Sequence, residues 1–393
     1  MSSKQPGAAS GRKIYDVAVV GAGVFGTWTA LSLARRGRSV VLVEAYGPGH
    51  SRSSSGDESR IIRMGYGADE IYTQWSVRSL ALWRELFRAT QTEALFHETG
   101  VLWLGEPGNQ ALRDTREVLA RSGVEFSEPD LPWLGREYPQ INFDGIGCAL
   151  YEPRSGVLMA RRAVAAALEE AMRLGAEYRV AEVRAPRQGG KITQLETGGG
   201  DAVAAGEFVF ACGAWLGKLF PEILGDRIFP TRQKVFYLGV PAGSEQFSPP
   251  LLPTFLFKTD ESYGLPNLES RGLKIALDRH GERVDPDTQS RLVTPGEADE
   301  IRKYVAYRFP ALRGAPIVET RVCQYENTSS GDFLIDRHPE VSNVWFAGGG
   351  SGHGFKHGPA IGEYLAGQLL DGRRPEARFA LKSKERVQKR SVY

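Results

Sequence analysis

The stretch Gly21-Ala22-Gly23-Val24-Phe25-Gly26 decides the fold of this chain of 393 residues. It follows an apolar run at residues 17–20, which is typical of a strand that is buried on both faces. Residues 24–36 then carry apolar side chains at helical spacing, and residues 39–43 form a second apolar run. Strand, glycine-rich loop, helix and strand in this order predict the opening βαβ unit of a parallel sheet.

The residues of this loop suit the binding of a dinucleotide. Gly21 permits the tight turn out of the strand, Gly23 lets a pyrophosphate approach the backbone, and Gly26 lets the helix pack closely against the sheet. The helix begins at Val24 and Phe25, where free N–H groups and the positive end of the helix dipole face the phosphates. We therefore predict that these five residues bind the cofactor.

An acid at the end of the second strand supports the same prediction. Glu44 stands where a carboxylate accepts hydrogen bonds from ribose hydroxyls and disfavours a 2′-phosphate. A glycine turn without a ligand is the alternative, and the loop alone does not distinguish one dinucleotide from another.

Similar elements return in the middle and at the end of the chain. Residues 208–211 and 344–347 are apolar runs typical of buried strands, a second glycine-rich loop spans 348–354, and a helix is predicted at 360–370. Residues 230–277 instead show an alternating pattern that is rich in aromatic side chains, which indicates antiparallel strands. We predict an α/β fold (α+β overall) in which a discontinuous Rossmann-like nucleotide domain is interleaved with an antiparallel-sheet substrate domain. The predicted bounds are 14–90, 150–222 and 320–393 for the first domain, and 91–149 and 223–319 for the second.

Composition excludes several other classes of protein. The chain has 49 basic and 47 acidic residues, without a basic block, so we expect no nucleic-acid partner. No apolar run is long enough to span a membrane, and the first 13 residues resemble a loose arm and not a signal peptide. The three cysteines are far apart and the histidines lack metal-ligand spacing, so we expect a cytoplasmic protein without a metal site.

Four further motifs carry a family resemblance. They are Ser53-Ser54-Ser55-Gly56-Asp57-Glu58-Ser59-Arg60-Ile61-Ile62-Arg63, Cys323-Gln324-Tyr325, Asp332-Phe333-Leu334-Ile335-Asp336 and Gly348-Gly349-Gly350-Ser351-Gly352-His353-Gly354-Phe355-Lys356. Together they resemble the monomeric sarcosine oxidase branch of the D-amino-acid-oxidase-like flavoproteins, over residues 15–372. The resemblance implies FAD, a monomer, and oxidation of an amine C–N bond, with electrons passing to the flavin and then to O₂. The products are an imine and hydrogen peroxide.

The resemblance also implies roles for three cations. Arg63 and Lys356 match the pair that holds the substrate carboxylate, for which a guanidinium fork and an ammonium are well suited. A salt bridge for Arg63 and a surface position for Lys356 are the alternatives. Lys274 matches the lysine that activates O₂ over the flavin, because a fixed cation stabilises superoxide; a solvated strand lysine is the alternative.

Other matched positions complete the expected site. Cys323 matches the cysteine that forms a thioether to the flavin, whereas Cys148 and Cys212 are expected in the core. Tyr263 and Tyr325 match aromatic walls of the substrate pocket, and such walls favour an uncharged amine by desolvating the ammonium. We assign Tyr325 a catalytic role together with Lys274 and Arg60. The remaining residues assigned to the cofactor are Ser59, Arg60, Gly350, Gly352, His353, Gly354 and Lys356, while Asp57 and Glu58 are expected to be loop or capping residues.

Two positions depart from the sarcosine oxidase pattern. Asp278 stands where those enzymes carry a histidine in the substrate pocket, and Ser54-Ser55 replaces a histidine pair. An acid at 278 would hold an amine protonated or bind a second positive group, so sarcosine itself is in question. We expect an oxidase of a small amino acid with a secondary or N-methyl amine. The alternatives are a dehydrogenase or tailoring enzyme that uses another electron acceptor, and a flavoprotein without turnover.

Overall fold

The computed structural model describes residues 13–186 and 189–389, so residues 1–12 of the predicted arm and the last residues of the basic tail lie outside the described residues. The described strands are β1 Ile14–Val20, β2 Val40–Glu44, β3 Arg60–Ile62, β4 Phe96–His97, β5 Val101–Gly105, β6 Cys148–Glu152, β7 Gly156–Leu158, β8 Glu177–Val180, β9 Gln194–Glu196, β10 Ala202–Phe210, β11 Phe229–Leu238, β12 Thr254–Phe257, β13 Ser262–Leu265, β14 Leu273–Leu277, β15 Ile317–Asn327, β16 Leu334–Arg337 and β17 Val344–Gly348. The described α-helices are α1 Val24–Arg35, α2 Glu70–Ala89, α3 Gln110–Arg121, α4 Leu131–Glu137, α5 Ala160–Arg173, α6 Leu216–Leu219, α7 Pro221–Leu224, α8 Pro295–Arg308 and α9 Gly358–Asp371.

The first sheet carries the predicted βαβ unit. Its strand order is β16-β17-β10-β1-β2-β8, with β9 paired to one end of β10. The inner pairs are parallel, whereas β16 and β9 run antiparallel to their neighbours. The strands β2 and β17 are buried at every residue, as expected for a parallel sheet covered on both faces. The nucleotide-type sheet predicted from the start, middle and end of the chain is confirmed.

The second sheet has the order β15-β11-β14-β13-β12-β5-β6 and is mostly antiparallel. One pair departs from that expectation, because β12 runs parallel to β5. These two strands are distant in sequence, and no tight turn between them imposes an antiparallel arrangement. Helix α8 packs on this sheet through Ile301 and Val305.

The predicted domain bounds at 150 and 320 both fall inside strands of the second sheet. Residue 150 lies in β6, which pairs with β5, and residue 320 lies in β15, which pairs with β11 along most of its length. An apolar run in the sequence shows that a strand is present and not which sheet it joins. The exact division into domains stays a prediction.

Candidate active site

A cleft opens at the carboxyl ends of the parallel strands β1, β2, β10 and β17. This edge of an α/β sheet is the usual place for a bound ligand. The cavity measures about 340 Å³, which lies in the range of small-molecule sites. Predicted site residues that line it are Gly21, Gly23, Val24, Phe25, Glu44, Arg60, Cys323, Tyr325, Gly350, Gly352 and Gly354.

The glycine loop forms the floor of the cleft. Gly21 has φ +102°, and a Cβ there would lie 2.4 Å from the Ala211 carbonyl oxygen, so only glycine fits. A Cβ on Gly23 would meet only the Ser55 hydroxyl oxygen at 3.5 Å, because this residue faces the open cleft. Helix α1 begins beside it, and the Val24 N–H donates to that hydroxyl at 3.1 Å. The exposed backbone and the helix N-terminus fit the diphosphate of a dinucleotide.

Backbone contacts hold Glu44 in place at the edge of the cleft. Its carboxylate accepts hydrogen bonds from the N–H groups of Ala22 at 2.7 Å and Tyr46 at 3.1 Å. The His50 Nε2 lies 3.6 Å from the same carboxylate, and burial lowers the pKa of that histidine. The structure thus places Glu44 beside the loop where a ribose hydroxyl is expected.

A second, smaller chamber of about 80 Å³ adjoins the cleft. Arg60, Cys323, Tyr325, Gly352 and Phe355 line both spaces, so the two spaces meet at these residues. Predicted site residues that line only the second chamber are Ser59, Arg63, Tyr263, Asp278, His353 and Lys356. Because the cleft fits a cofactor, the chamber is the candidate substrate pocket.

Arg63 and Lys356 are buried cations in the chamber wall. The Arg63 guanidinium donates to the Gly65 carbonyl and lies over the rings of Tyr66 and Trp103, with its carbon 4.4 Å and 4.6 Å from their centroids. The Lys356 Nζ donates to the Tyr66 hydroxyl at 2.7 Å and to a backbone carbonyl. Among residues 13–186 and 189–389, no salt bridge includes either cation. Neither alternative therefore holds: Arg63 is not paired with an acid, and Lys356 is not a surface lysine.

These surroundings lower the pKa of Lys356 well below its usual value. Burial is the main cause, the nearby Arg63 charge adds to it, and Asp278 opposes it. A carboxylate entering the chamber would stabilise both cations, since it supplies the missing negative charge. The arrangement can therefore bind an anion.

Lys274 is buried and paired with an acid, so it is not the solvated strand lysine of the alternative. Its Nζ donates to the Asp57 carboxylate at 2.6 Å and to the Ser59 carbonyl at 2.8 Å, and it is not among the lining residues of either cavity. The same Asp57 oxygen accepts from Arg60 at 2.6 Å, and its other oxygen accepts from the Tyr237 hydroxyl at 3.1 Å. Lys274 thus lies behind Ser59 and Arg60, held by a buried carboxylate.

Asp57 is more than a loop or capping residue. Burial would raise its pKa, but the charges of Lys274 and Arg60 hold the pKa well below its ordinary value. Burial lowers the pKa of Lys274 to about 8, with Asp57 opposing and Arg60 adding to the shift. Sequence reasoning missed this role, although the position of Asp57 inside the motif that ends at Arg63 was a signal.

Asp278 faces the same chamber as the two unpaired cations. Its carboxylate accepts a hydrogen bond from the Tyr325 hydroxyl at 2.7 Å. Burial raises the pKa of Asp278 to about 6, while that hydrogen bond and the charges of Arg63 and Lys356 counteract the rise. Tyr263 lies in the same wall. The chamber therefore contains an acid that titrates near neutral pH and two aromatic hydroxyls.

The three cysteines occupy different environments. Cys323 is buried, lines both cavities, and its Sγ lies 3.6 Å from an Arg60 nitrogen. Cys212 lines the cleft as well as packing on a core cluster, so the expectation of a purely core residue was incomplete. Cys148 is half-buried, and its thiol donates to the Glu106 carbonyl. Of the three, Cys323 alone lies where the two spaces meet.

The second glycine-rich loop closes the site. Gly350, Gly352 and Gly354 line the cleft, as expected for cofactor-binding residues. His353 instead faces the chamber, with its Nε2 2.9 Å from the Gly331 carbonyl oxygen and its ring stacked on Phe333. The loop thus contributes to both spaces.

The described part of the chain has neither a membrane-spanning helix nor a cluster of metal-ligating side chains. No helix there is long and apolar enough to cross a membrane. No group of three or more His, Cys, Asp or Glu side chains within residues 13–186 and 189–389 could hold a metal ion.

The fold and the cleft define a dinucleotide-binding protein whose second cavity adjoins the cofactor cleft. The chain belongs to the FAD-dependent oxidoreductase family, whose family model matches residues 16–368. The residues of the cleft fit that cofactor, since the glycine loop exposes backbone N–H groups and the cavity extends from Glu44 to Cys323.

Individual relatives agree with this assignment. Monomeric sarcosine oxidase from Bacillus sp. (strain B-0618) is 32% identical over 370 residues, covering 91% of this chain and 93% of that protein. N-methyl-L-tryptophan oxidase from Escherichia coli O139:H28 is 28% identical over 364 residues, covering 90% and 94%. The structure of L-proline dehydrogenase from P. horikoshii superimposes with a TM-score of 0.81 at 22% identity, covering 94% and 97%, which shows the shared fold.

Proposed function

We propose that the protein is an FAD-dependent oxidase of a small amino acid with a secondary or N-methyl amine, using O₂ as the acceptor. The bound flavin would accept the hydride equivalent from the amine carbon, and O₂ would then take the electrons and become hydrogen peroxide. The observation that carries the proposal is the buried pair Arg63 and Lys356, which forms no salt bridge with any described residue and lies next to the cofactor cleft.

The chamber residues divide the work of binding such a substrate. Arg63 and Lys356 bind the carboxylate, and that charge in turn favours the ammonium form of Lys356. Tyr263 and the ring of Tyr325 exclude water from the amine. Asp278 accepts from Tyr325 and offers its second oxygen to a positive or hydrogen-bonding group of the substrate.

Anaerobic mixing with candidate substrates tests the proposal. Loss of the oxidised flavin absorbance is expected with N-methyl or cyclic secondary amino acids. The methyl ester of an active substrate is the matched control, because it keeps the amine and removes the carboxylate charge. Bleaching that is equally fast with the ester would remove the role of the cation pair. No bleaching with any N-methyl, cyclic or primary amino acid would favour a flavoprotein without turnover.

The second candidate function is that of a dehydrogenase, and the environment of Lys274 supports it. This lysine is bound to Asp57 and does not line either cavity, so its access to O₂ is not evident. Readmitting air after anaerobic reduction separates the two functions. Rapid return of the flavin absorbance with one peroxide per flavin supports the oxidase, whereas reduced flavin that persists in air supports the dehydrogenase.

We further propose that Cys323 carries the flavin through a thioether. Its position between cleft and chamber supports this, since the reactive end of the flavin must also face both. Flavin fluorescence should stay with the denatured polypeptide, and Cys323→Ser should abolish this. Cys212→Ser is the matched control, because Cys212 lines the same cleft and should leave the linkage intact.

A monomer in the reducing cytoplasm completes the proposal. The unpaired state of the described cysteines supports a reducing compartment. Light scattering that gives a mass near 43.2 kDa would support the monomer, and a mass twice as large would refute it.

A further inference from the structure

Glu326 is a buried acid in the cofactor cleft that the proposed chemistry leaves without a role. It follows Cys323 by three positions on β15 and lines the cleft, but it is not among the residues that line the chamber. Side chains alternate between the two faces of a strand, so Cys323 and Glu326, three positions apart, lie on opposite faces of β15. Its action is therefore directed at the cofactor and not at the substrate.

The carboxyl group of Glu326 is only half satisfied. Its Oε1 accepts a hydrogen bond from the Gly350 N–H at 3.2 Å, whereas its Oε2 has no partner among the described residues. Backbone surrounds that second oxygen, because a Cβ placed on Gly348 or Gly213 would lie only 3.4 Å or 3.6 Å from it. No Lys, Arg or His side chain within residues 13–186 and 189–389 forms a salt bridge with Glu326.

A buried carboxyl without a counter-charge favours its neutral form. Burial raises the pKa of Glu326 to about 7, although the loop N–H groups counteract the rise. Since Oε1 already accepts a hydrogen bond, the proton belongs on Oε2, which then becomes a donor without an acceptor. An unmade hydrogen bond of this kind is costly, so a ligand that supplies the acceptor is expected.

The location of Oε2 indicates which part of FAD can accept its hydrogen bond. Glu326 lies three residue steps after Cys323 along the strand, a distance of roughly 10 Å. Gly213 follows Ala211, whose carbonyl abuts Gly21 of the diphosphate loop. Oε2 thus lies between the expected flavin ring and the diphosphate loop, where FAD presents oxygen acceptors on its ribityl–diphosphate segment.

We propose that protonated Glu326 binds FAD by donating a hydrogen bond from Oε2 to an oxygen of the ribityl–diphosphate segment, so that FAD is released more readily when Glu326 ionises. The ionised carboxylate would lose the donor and repel the phosphates. The inference rests on the family's cofactor and not on the identity of the amine.

Other titratable groups around the cleft could also make FAD binding depend on pH, so their effects must be distinguished from that of Glu326. From β11 the facing residue is Pro230, and from the loop after β17 it is the backbone of Gly350, neither of which titrates. Cys212 faces Glu326 from the segment after β10, and burial keeps its thiol protonated by raising its pKa. The other charged or titratable side chains of the cleft are Glu44, Tyr46, His50, Arg60, Glu182, Lys218, Asp287, Cys323 and Tyr325.

Release of FAD from holoprotein tests the inference, with Cys323→Ser as the background so that the cofactor can leave. Free FAD fluorescence after dilution gives the dissociation constant at each pH from 6 to 9. That constant should rise by up to about tenfold per pH unit above 7. In the matched Glu326→Gln variant, whose amide donates at every pH, the dependence should vanish. An equal slope in both proteins would overturn the inference, whereas failure to bind FAD at any pH would instead contradict the family's cofactor.

Thermal unfolding of the holoprotein with Cys323 intact supplies a second measurement. Glu326 has a raised pKa in the folded protein, so its stabilisation is complete below the unfolded pKa and is lost as the pH rises through the folded pKa. The melting temperature should therefore fall with pH relative to that of Glu326→Gln. Parallel curves for the two proteins would argue against the inference.

Discussion

Two sets of cations lie in or behind the wall of the same chamber and differ in whether an acid is paired with them. Lys274 and Arg60 share the Asp57 carboxylate at 2.6 Å each. Within the described part of the chain, Arg63 and Lys356 contact carbonyls, a hydroxyl and aromatic rings and form no salt bridge. The cations of the first set already have a counter-ion without a ligand. Those of the second set lack a paired negative charge, which the carboxylate of a substrate can supply.

The pKa shifts of the two lysines express this difference. Burial lowers the pKa of both lysines. Asp57 opposes this effect at Lys274, whose pKa is lowered to about 8. Each lysine has a like-charged arginine nearby, but Lys356 shifts further because the acids that oppose the shift are not in contact with it. The counter-ion thus determines how strongly burial lowers the pKa of each lysine. We infer that the first set positions groups and the second set binds.

Removing Asp57 should have the largest effect. Asp57→Asn leaves the buried Lys274 and the partly exposed Arg60 without their shared counter-ion, so the free energy of unfolding should fall by roughly 3–5 kcal/mol. Because the pKa of Asp57 is lowered in the folded protein, its contribution is present above pH about 4 and is lost as the pH falls. Urea unfolding at neutral pH measures the change.

An exposed ion pair provides the control for this experiment. Asp285 binds Lys218 at 2.9 Å on the surface, where such pairs contribute less than about 1 kcal/mol. Asp285→Asn should therefore be nearly silent. If the two substitutions cost the same, the buried carboxylate is not what stabilises the first set.

The next largest effect should come from Arg63→Met. The specificity constant kcat/KM for the carboxylate substrate should fall by about 30-fold to several thousand-fold, corresponding to 2–5 kcal/mol for a buried charge partner. Stability should not fall as it does in Asp57→Asn, because no described acid forms a salt bridge with Arg63 and would be left without its partner. Steady-state kinetics and urea unfolding on the same protein measure both quantities.

Lys356→Met is the companion variant to Arg63→Met. It removes the other cation of the pair and should lower kcat/KM in the same way. The substrate methyl ester should be nearly insensitive to either change. A variant that loses activity equally with acid and ester would show that the cation supports the chamber and does not bind the carboxylate.

The contrast also shows what sequence reasoning could reach. The glycine loop was predictable because Gly21 to Gly26 act through local backbone geometry. Arg63 and Lys356 were predicted as a pair because each lies in a recognisable motif, and the structure places both in the chamber wall. The bond from Lys274 to Asp57 joins residues 217 positions apart, and no pattern in the sequence states that two such groups meet.

Two omissions had different causes. Helix α8 was missed although Thr294 and Glu297 form a capping box at its start, a local signal that a closer reading could have used. The unpartnered oxygen of Glu326 could not be foreseen, since it depends on two loops that converge from distant parts of the chain. Local chemistry is readable from sequence, whereas the satisfaction of a buried polar atom depends on tertiary packing.

A pH experiment can test whether Asp278 belongs to the binding set. Its pKa of about 6 means that it ionises as the pH rises through that value. If the carboxylate binds the positive group of the substrate, kcat/KM should fall about tenfold per pH unit below 6. Asp278→Asn should remove this limb and lower the plateau. A wild-type limb that persists in the variant would assign it to another group.

Tyr325→Phe provides a second measurement on the same low-pH limb of the kcat/KM profile. The Tyr325 hydroxyl donates to Asp278 and holds its pKa down, so removing it should move the limb to higher pH. An unchanged limb would mean that the hydrogen bond does not affect the ionisation of Asp278.

The smallest effect is expected from Tyr237→Phe, and it separates charge from hydrogen bonding in the first set. The Tyr237 hydroxyl donates to Asp57 at 3.1 Å, but both cations remain paired without it. The free energy of unfolding should fall by only about 1 kcal/mol, the usual value of one hydrogen bond. Tyr304→Phe is the matched control, because its hydroxyl donates to Asp260 at 3.0 Å beside Arg308. A loss as large as that of Asp57→Asn would mean that Asp57 is held in place by its neutral partner, and that the cations alone do not fix its position.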